Sequence, residues 1–195
     1  MFKGKNPTKL LDHYLALAKS AEIPLFEAMT LATTTRTGRP SARMVLLKEL
    51  RKGSIHFFTN YESRKARELA ANPRVALVFF WQKLDIQVRI EGKVRKCSDV
   101  DSDAYWKTRP FESQISGAVS KQSRVLAHRD VLIEAAQALR MKCGESRMVP
   151  RPKTWGGYEV VPDRFEFWLG KPNRLHERHC YSLVKGRWKY EELSP

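Results

Sequence analysis

Apolar positions along the chain follow two periods. Leu10, Leu11, Tyr14, Leu15 and Ala18 recur at helical spacing behind an Asn6-Pro7 start, which supplies an N-cap and a first helical residue. A helix is therefore predicted over 6–20, and Pro24 forbids a long continuation. The pattern then turns β-like. Strands are predicted at 28–35, 41–50 and 55–59, divided by the turn sequences Thr37-Gly38-Arg39-Pro40 and Arg51-Lys52-Gly53. A short helix over 64–71 should end at Asn72-Pro73. Arg74 to Trp81 is apolar almost throughout and reads as a buried central strand. From 85 to 96 the alternation is clean. Ile86, Val88 and Ile90 oppose Asp85, Gln87, Arg89 and Glu91, as in a half-buried antiparallel strand.

The middle of the chain reads as helical. Ser98-Asp99 can cap a helix running to Thr108, stopped by Arg109-Pro110. A second helix is expected over 112–119. A third is expected over 130–142, with Val131, Leu132, Ala135, Ala136 and Leu139 as its apolar stripe. A long loop should cover 143–154. Strands return at 157–161 and 164–169, and a closing hairpin is expected over 180–184 and 187–191, turning at Lys185-Gly186. Hairpins surrounding inserted helices define an α+β, mainly β class: a barrel with helical cover. One domain is expected over 1–195, with an N-terminal helical segment over 1–25 and a helical insertion over 98–143.

Composition narrows this picture. The 195 residues are 42% hydrophobic and 10% aromatic, which excludes a disordered chain. A folded monomer of this mass should expose roughly 9,500 Å². The longest apolar run, Val75–Trp81, is far too short for a bilayer. The N-terminal decapeptide lacks the apolar stretch of a secretory signal, so a cytoplasmic location is expected. Cys97, Cys143 and Cys180 are odd in number and scattered, as expected of reduced thiols. The net charge of +15 predicts anionic partners without saying which. Basic residues are spread over most segments and no RNA-module motif occurs, so no specific nucleic-acid partner is expected.

Several residues could carry chemistry. Ser63-Arg64-Lys65 opens a helix, where free N–H groups and two cations suit a phosphate, although an ordinary capped surface helix reads the same way. Arg43 and Lys48 bracket Met44-Val45-Leu46-Leu47. Strand alternation places the two cations on opposite faces, so the strand is bulged or borders two sites. Tyr105 and Arg109 share a helix face. With Ser113 just beyond Pro110 they could embrace a phosphate monoester. Trp168 opposes Phe165, Phe167 and Leu169 and so should leave the main core. In an extended segment Arg174, His176 and Arg178 would share a face and repel unless an anion or water-filled cleft lies near. His179 falls on the other face from His176, so zinc is not expected.

Taken together these residues resemble the pyridoxine/pyridoxamine 5′-phosphate oxidase family. The match begins with Arg43-Met44-Val45-Leu46-Leu47-Lys48, Phe58-Thr59-Asn60 and Ser63-Arg64-Lys65. It continues through Gln87-Val88, Tyr105, Arg109-Pro110, Ser113-Gln114-Ile115 and Gln122-Ser123. Trp155-Gly156-Gly157, Phe167-Trp168 and Arg174-Leu175-His176 complete it in order.

The resemblance implies an FMN-binding split β-barrel that works as a homodimer, with the flavin at the subunit interface. Arg43, Arg64, Lys65, Gln122 and Ser123 would hold FMN, largely by its phosphate. Gln87, Trp168 and Arg178 would touch other parts of the flavin. Met44, Val45, Leu46, Leu47, Lys48, Phe58 and Thr59 would complete the cofactor site. Lys48, Tyr105, Arg109 and Ser113 would take the substrate phosphate, and Arg174 and His176 would lie over the substrate ring as the catalytic pair. The implied reaction passes a hydride from C4′ of pyridoxamine or pyridoxine 5′-phosphate to the flavin. Pyridoxal 5′-phosphate forms, and O2 is reduced to H2O2. An interface site would let Arg43 and Lys48 serve different subunits' ligands. The chain departs from many relatives at Ser116-Gly117-Ala118, where they carry Gly-Ala-Trp, at Phe58, a frequent Tyr, and at its Glu192-Leu193-Ser194-Pro195 end. The alternatives are a split-barrel flavin oxidase of another substrate, such as a phenazine precursor, and a non-catalytic flavin- or nucleic-acid-binding protein.

Overall fold

The computed structural model describes residues 5–195, so the first four residues of the expected N-terminal segment lie outside it. Helix α1 (Pro7–Ser20) starts where expected, with the Asn6 side chain accepting from the Thr8 N–H. Strands β1 (Ala28–Thr34), β2 (Pro40–Leu46), β3 (Glu49–Arg51) and β4 (Ser54–Asn60) lead into α2 (Arg64–Ala71). Next come β5 (Arg74–Trp81), β6 (Ile86–Lys96) and the helices α3 (Asp99–Thr108), α4 (Phe111–Val119) and α5 (Arg129–Cys143). Strands β7 (Trp155–Leu169), β8 (Glu177–Val184) and β9 (Arg187–Glu192) end the chain. No helix among the described residues is long and apolar enough to cross a membrane.

All strand pairs are antiparallel, in the order β2-β1-β5-β6-β7-β4-β3. β7 organises the sheet. It pairs with β6 over residues 158–169, while its other edge takes β4 over residues 155–160 and β8 over 164–169. The sheet therefore splits at mid-β7 and curls around one core. That core holds Leu31, Leu77, Phe79, Ile90, Phe165 and Phe167, with Tyr14 of α1 against Phe167. A second cluster, Trp106, Ile115, Val149 and Trp155, seats the helical insertion on β7.

Four expectations are corrected. The strand predicted over 41–50 ends at Leu46. The Leu47 N–H bonds Glu27 O and the Lys48 N–H bonds His56 O, so the chain leaves β1 for β4 there and alternation does not run from Arg43 to Lys48. The strands predicted at 157–161 and 164–169 are one strand. Pro162, which lacks an N–H, sits at the irregularity where Gly92 pairs with it and Asp163 is extra. β5 is buried on one face only, since Val75, Leu77, Phe79 and Trp81 point inward while Phe80 is 57% exposed. Finally, α5 buries none of its residues. Only Leu132, Ala136, Leu139 and Cys143 are half-buried, while Val131 and Ala135 of the expected stripe are exposed.

Gly92 makes the bulge possible, because a methyl there would strike the Val161 carbonyl oxygen and stand 2.9 Å from Pro162 Cα. Backbone cannot yield as a side-chain tip can. Gly92→Ala should lower unfolding stability by about 2 kcal/mol, read as a fall in urea midpoint at constant slope. An unchanged midpoint would show that the bulge does not need the close approach.

Candidate active site

The strand switch after Leu46 delivers Lys48 to a cavity of about 370 Å³ between the barrel and the helical insertion. Met44, Val45 and Leu46 contribute from β2, and Phe58, Thr59 and Asn60 from the end of β4. Lys65 enters from α2, Tyr105 from the last turn of α3 and Arg109 from its C-cap. Ser116, Gly117 and Ser120 close one side, with Gln122 and Trp155. Lys48, Lys65 and Arg109 are its cations, and no carboxylate lines it. Each lacks an ion pair among the described residues.

Local structure fixes these groups. Ser63 caps α2 by accepting from the Ala66 N–H, which starts the helix so that Lys65 reaches across to β4. Its Nζ donates to Thr59 Oγ1 at 3.1 Å and Gln122 Oε1 at 3.0 Å. Burial, with Arg43 nearby, lowers its pKa to about 8. At the α3–α4 corner the buried Gln114 amide donates to the carbonyls of Trp106 and Arg109, which holds the turn that presents Arg109. The guanidinium lies 4.9 Å from the Trp106 ring centre and 4.7 Å from that of Trp155. Its Nη1 is buried and has no hydrogen-bond acceptor, and burial lowers the pKa of this arginine. Tyr105 stacks on Phe58 at 3.9 Å, and burial raises its pKa.

Other expected residues lie elsewhere. Arg43 and Arg64 both turn to Glu68, at 3.0 and 2.9 Å, and Arg43 also bonds Thr33 and Ser41. Leu47 is buried in the core. Ser113 does not line the cavity, but Ser116, Gly117 and Ser120 do. Counting three, four and seven along α4 from Ser113 finds them, and that was the missed signal. Ser123 follows Gln122 in a left-handed conformation, exposed. Gln87, Trp168 and Arg178 occupy one cross-strand row, Gln87 pairing with Trp168 and Trp168 with Arg178. His176 packs on Trp168 at 4.5 Å, and its Nδ1 accepts from the Lys171 N–H. Arg174 ends a single 3-10 turn, exposed and left-handed. The segment 174–178 is therefore not one extended face, and Arg178 binds Glu166 instead of repelling its neighbours. The Gln87–Trp168 row and the cavity sit at opposite ends of β7. Twelve residues, about 40 Å of extended strand, separate Trp168 from Gly156, the partner of Thr59.

A split barrel with a cationic, aromatic-walled cavity is the frame of a protein that takes flat, anionic ligands. The family model for pyridoxamine 5′-phosphate oxidase matches residues 18–143, and that for the pyridoxine 5′-phosphate oxidase C-terminal dimerisation region matches 155–195. The pyridoxine/pyridoxamine 5′-phosphate oxidase of Gloeothece citriformis is 48% identical over 193 residues, covering 97% of this chain and 90% of that one. That of Cupriavidus taiwanensis is 49% identical over 191 residues, covering 97% and 89%. The chain belongs to the pyridoxine/pyridoxamine 5′-phosphate oxidase family. Among solved structures, PhzG from Burkholderia lata, in complex with tetrahydrophenazine-1-carboxylic acid, superposes with a TM-score of 0.94 at 30% identity, covering 99% of this chain and 94% of that one. An FMN-binding relative from Nostoc punctiforme shares the fold, with a TM-score of 0.79 at 15% identity and full coverage of both chains.

Glu68 is the buried anchor beside this site. Burial alone would raise its pKa, but hydrogen bonds from Ser41, Thr33, Arg64 and Arg43 hold it at about 2, below the usual 4.5. A depressed carboxylate stabilises the fold above its unfolded pKa, and that contribution is lost as pH falls through the folded value. Glu68→Gln should therefore cost about 3 kcal/mol near neutrality. The gap to wild type in denaturant unfolding should close between about pH 5 and pH 2. A gap independent of pH would contradict this.

Proposed function

We propose that this chain is an FMN-dependent oxidase converting pyridoxamine 5′-phosphate or pyridoxine 5′-phosphate to pyridoxal 5′-phosphate, with O2 reduced to H2O2, and that it works as a cytoplasmic homodimer. The observation that carries the reading is Arg109. Its buried Nη1 lacks an acceptor, in a cavity that also holds Lys48 and Lys65 and no carboxylate. A desolvated guanidinium without a counter-charge is costly, and a phosphate monoester offers the planar fork its matching oxygens.

The cofactor is FMN. When bound it supplies the two-electron acceptor that side chains lack. Lys65, braced by Thr59 and Gln122, suits the flavin phosphate. Arg43 and Arg64 stand behind it on Glu68. Lys48, Tyr105 and Arg109 suit the substrate phosphate, and the wall of Phe58, Tyr105 and Trp155 excludes water from the rings. With Nδ1 of His176 accepting from a backbone N–H, the neutral ring carries its proton on Nε2. That N–H, with Arg174, is the donor pair offered to the substrate.

A second copy of the chain would bring the row of Gln87, Trp168 and Arg178 to the cavity, which one chain keeps at the far end of β7. The match to a dimerisation region over 155–195 supports this. So do the outward Met44, 60% exposed, and Phe80. The chain exposes 12416 Å², above the roughly 9,500 Å² of a compact monomer of its mass. A second reading, oxidation of a tetrahydrophenazine carboxylic acid, is favoured by the likeness to PhzG alone.

The test is anaerobic. Pyridoxamine 5′-phosphate should bleach the visible flavin spectrum of the purified protein. Bleaching by a tetrahydrophenazine acid alone would select the second reading. Arg109→Ala should lower kcat/KM for pyridoxamine 5′-phosphate about a hundredfold with flavin content unchanged, and loss of flavin would remove Arg109 from the substrate side. Because the Lys65 pKa is lowered to about 8, the ammonium is lost above that pH in the flavin-free protein. FMN affinity, followed by fluorescence quenching, should fall as pH rises through 8, and Lys65→Arg should flatten the profile. A wild-type affinity flat to pH 10 would remove Lys65 from the phosphate.

A further inference from the structure

Glu166 and Trp168 stand on the same face of β7, opposite Phe165 and Phe167. Glu166 is 4% exposed, and a carboxylate buried that far needs partners. Two neighbouring strands supply them. Its Oε2 accepts from Arg89 Nη1 of β6 at 3.2 Å. Its Oε1 accepts twice from Arg178 of β8, from Nε at 3.0 Å and from Nη2 at 2.9 Å. Arg178 is held at its other end as well. Its Nη1 donates to the Ser194 carbonyl at 2.9 Å, and its own carbonyl accepts from the Leu193 N–H, so the chain beyond β9 runs alongside it. A guanidinium carries five N–H groups. Three are taken up here, which leaves two, one on each terminal nitrogen. Those two donors belong to the row that Trp168 and Gln87 complete.

We infer that Glu166 is a positioning residue that fixes the Arg178 guanidinium so that its two remaining N–H groups meet the flavin. A buried ion network adds little stability over apolar packing, but it restricts geometry strongly. Two arginines on one carboxylate also leave the cluster with one positive charge, which favours a cofactor that takes up electrons. The inference deepens the reading proposed above and rests on it, because that reading brings the row of Gln87, Trp168 and Arg178 to the flavin in a second copy's cavity.

The test is a double-mutant cycle on the full-length, FMN-loaded protein, with FMN release on dilution read as a rise in flavin fluorescence. Arg178→Ala and Glu166→Ala should each weaken FMN binding about tenfold. Once Arg178 is replaced, Glu166→Ala should add less than about twofold. Glu166→Gln should keep FMN binding within about threefold of wild type, because both bonds from Arg178 end on Oε1 and an amide oxygen can accept them. Arg89→Ala, which leaves the Arg178 contacts in place, should do the same. Equal losses from Glu166→Ala in the two backgrounds would make Glu166 a general support of the sheet and overturn the inference. So would a Glu166→Gln or Arg89→Ala protein as weak as Glu166→Ala. If Glu166→Ala does not fold, Glu166→Asp takes its place, since it keeps the charge and draws the acceptor back by one methylene, and the same pattern is required. An Arg178→Ala protein with unchanged FMN affinity would refute the placement of Arg178 and the inference with it. Weakening by Arg178→Ala but not by Glu166→Ala would sink the inference alone. If the cycle holds and pyridoxamine 5′-phosphate leaves the flavin oxidised, the proposed reaction fails and the role of Glu166 stands.

Discussion

The structure depends on the pairing of β7. This one fifteen-residue strand satisfies β6 along one edge and must divide its other edge between β4 and β8. Backbone groups in a sheet need partners along their whole length. The division therefore decides where the barrel opens, where the helical insertion docks and which residues meet. Thr59 and Trp155 come to one end of the strand, and Gln87, Trp168 and Arg178 to the other. The bulge at Gly92 and Pro162 lets so long a strand bend around the core.

Electrostatics follow from that scaffold. Glu68 gathers Arg43 and Arg64, Glu166 gathers Arg89 and Arg178, and Asp99 with Asp103 gathers Arg151. The two buried carboxylates, Glu68 and Glu166, are thus neutralised within the protein, while Asp99 and Asp103 pair at the surface. The three cations left facing the cavity have no such partner. A desolvated cation keeps its charge only at a cost, and the lowered pKa values of Lys65 and Arg109 record it. An anionic ligand would relieve what the fold leaves unbalanced.

Much of this was legible in residue order. The Asn6 and Ser63 caps, the hairpin turns and the alternation of β6 are local, and local chemistry dictates them. The Tyr105–Arg109 face was readable from a four-residue spacing. Three features were not. The run Met44–Leu47 looks like uninterrupted strand because changing partners from β1 to β4 costs no change of residue type. Arg74–Trp81 looks fully buried because Phe80 is apolar, yet it faces outward from the single chain. The stripe on α5 looks like core although the helix rests on the second cluster only through its edge.

The sequence by itself determined most of the elements, the family and the chemical kinds of group available for an anion, because these follow from short-range periodicity and residue type. Tertiary structure alone decided which cations share a cavity, which are spent on Glu68 and Glu166, and which rings flank Arg109. Those outcomes turn on distances between residues far apart in the chain, set by strand pairing and by a few ångströms of packing space that no local pattern encodes.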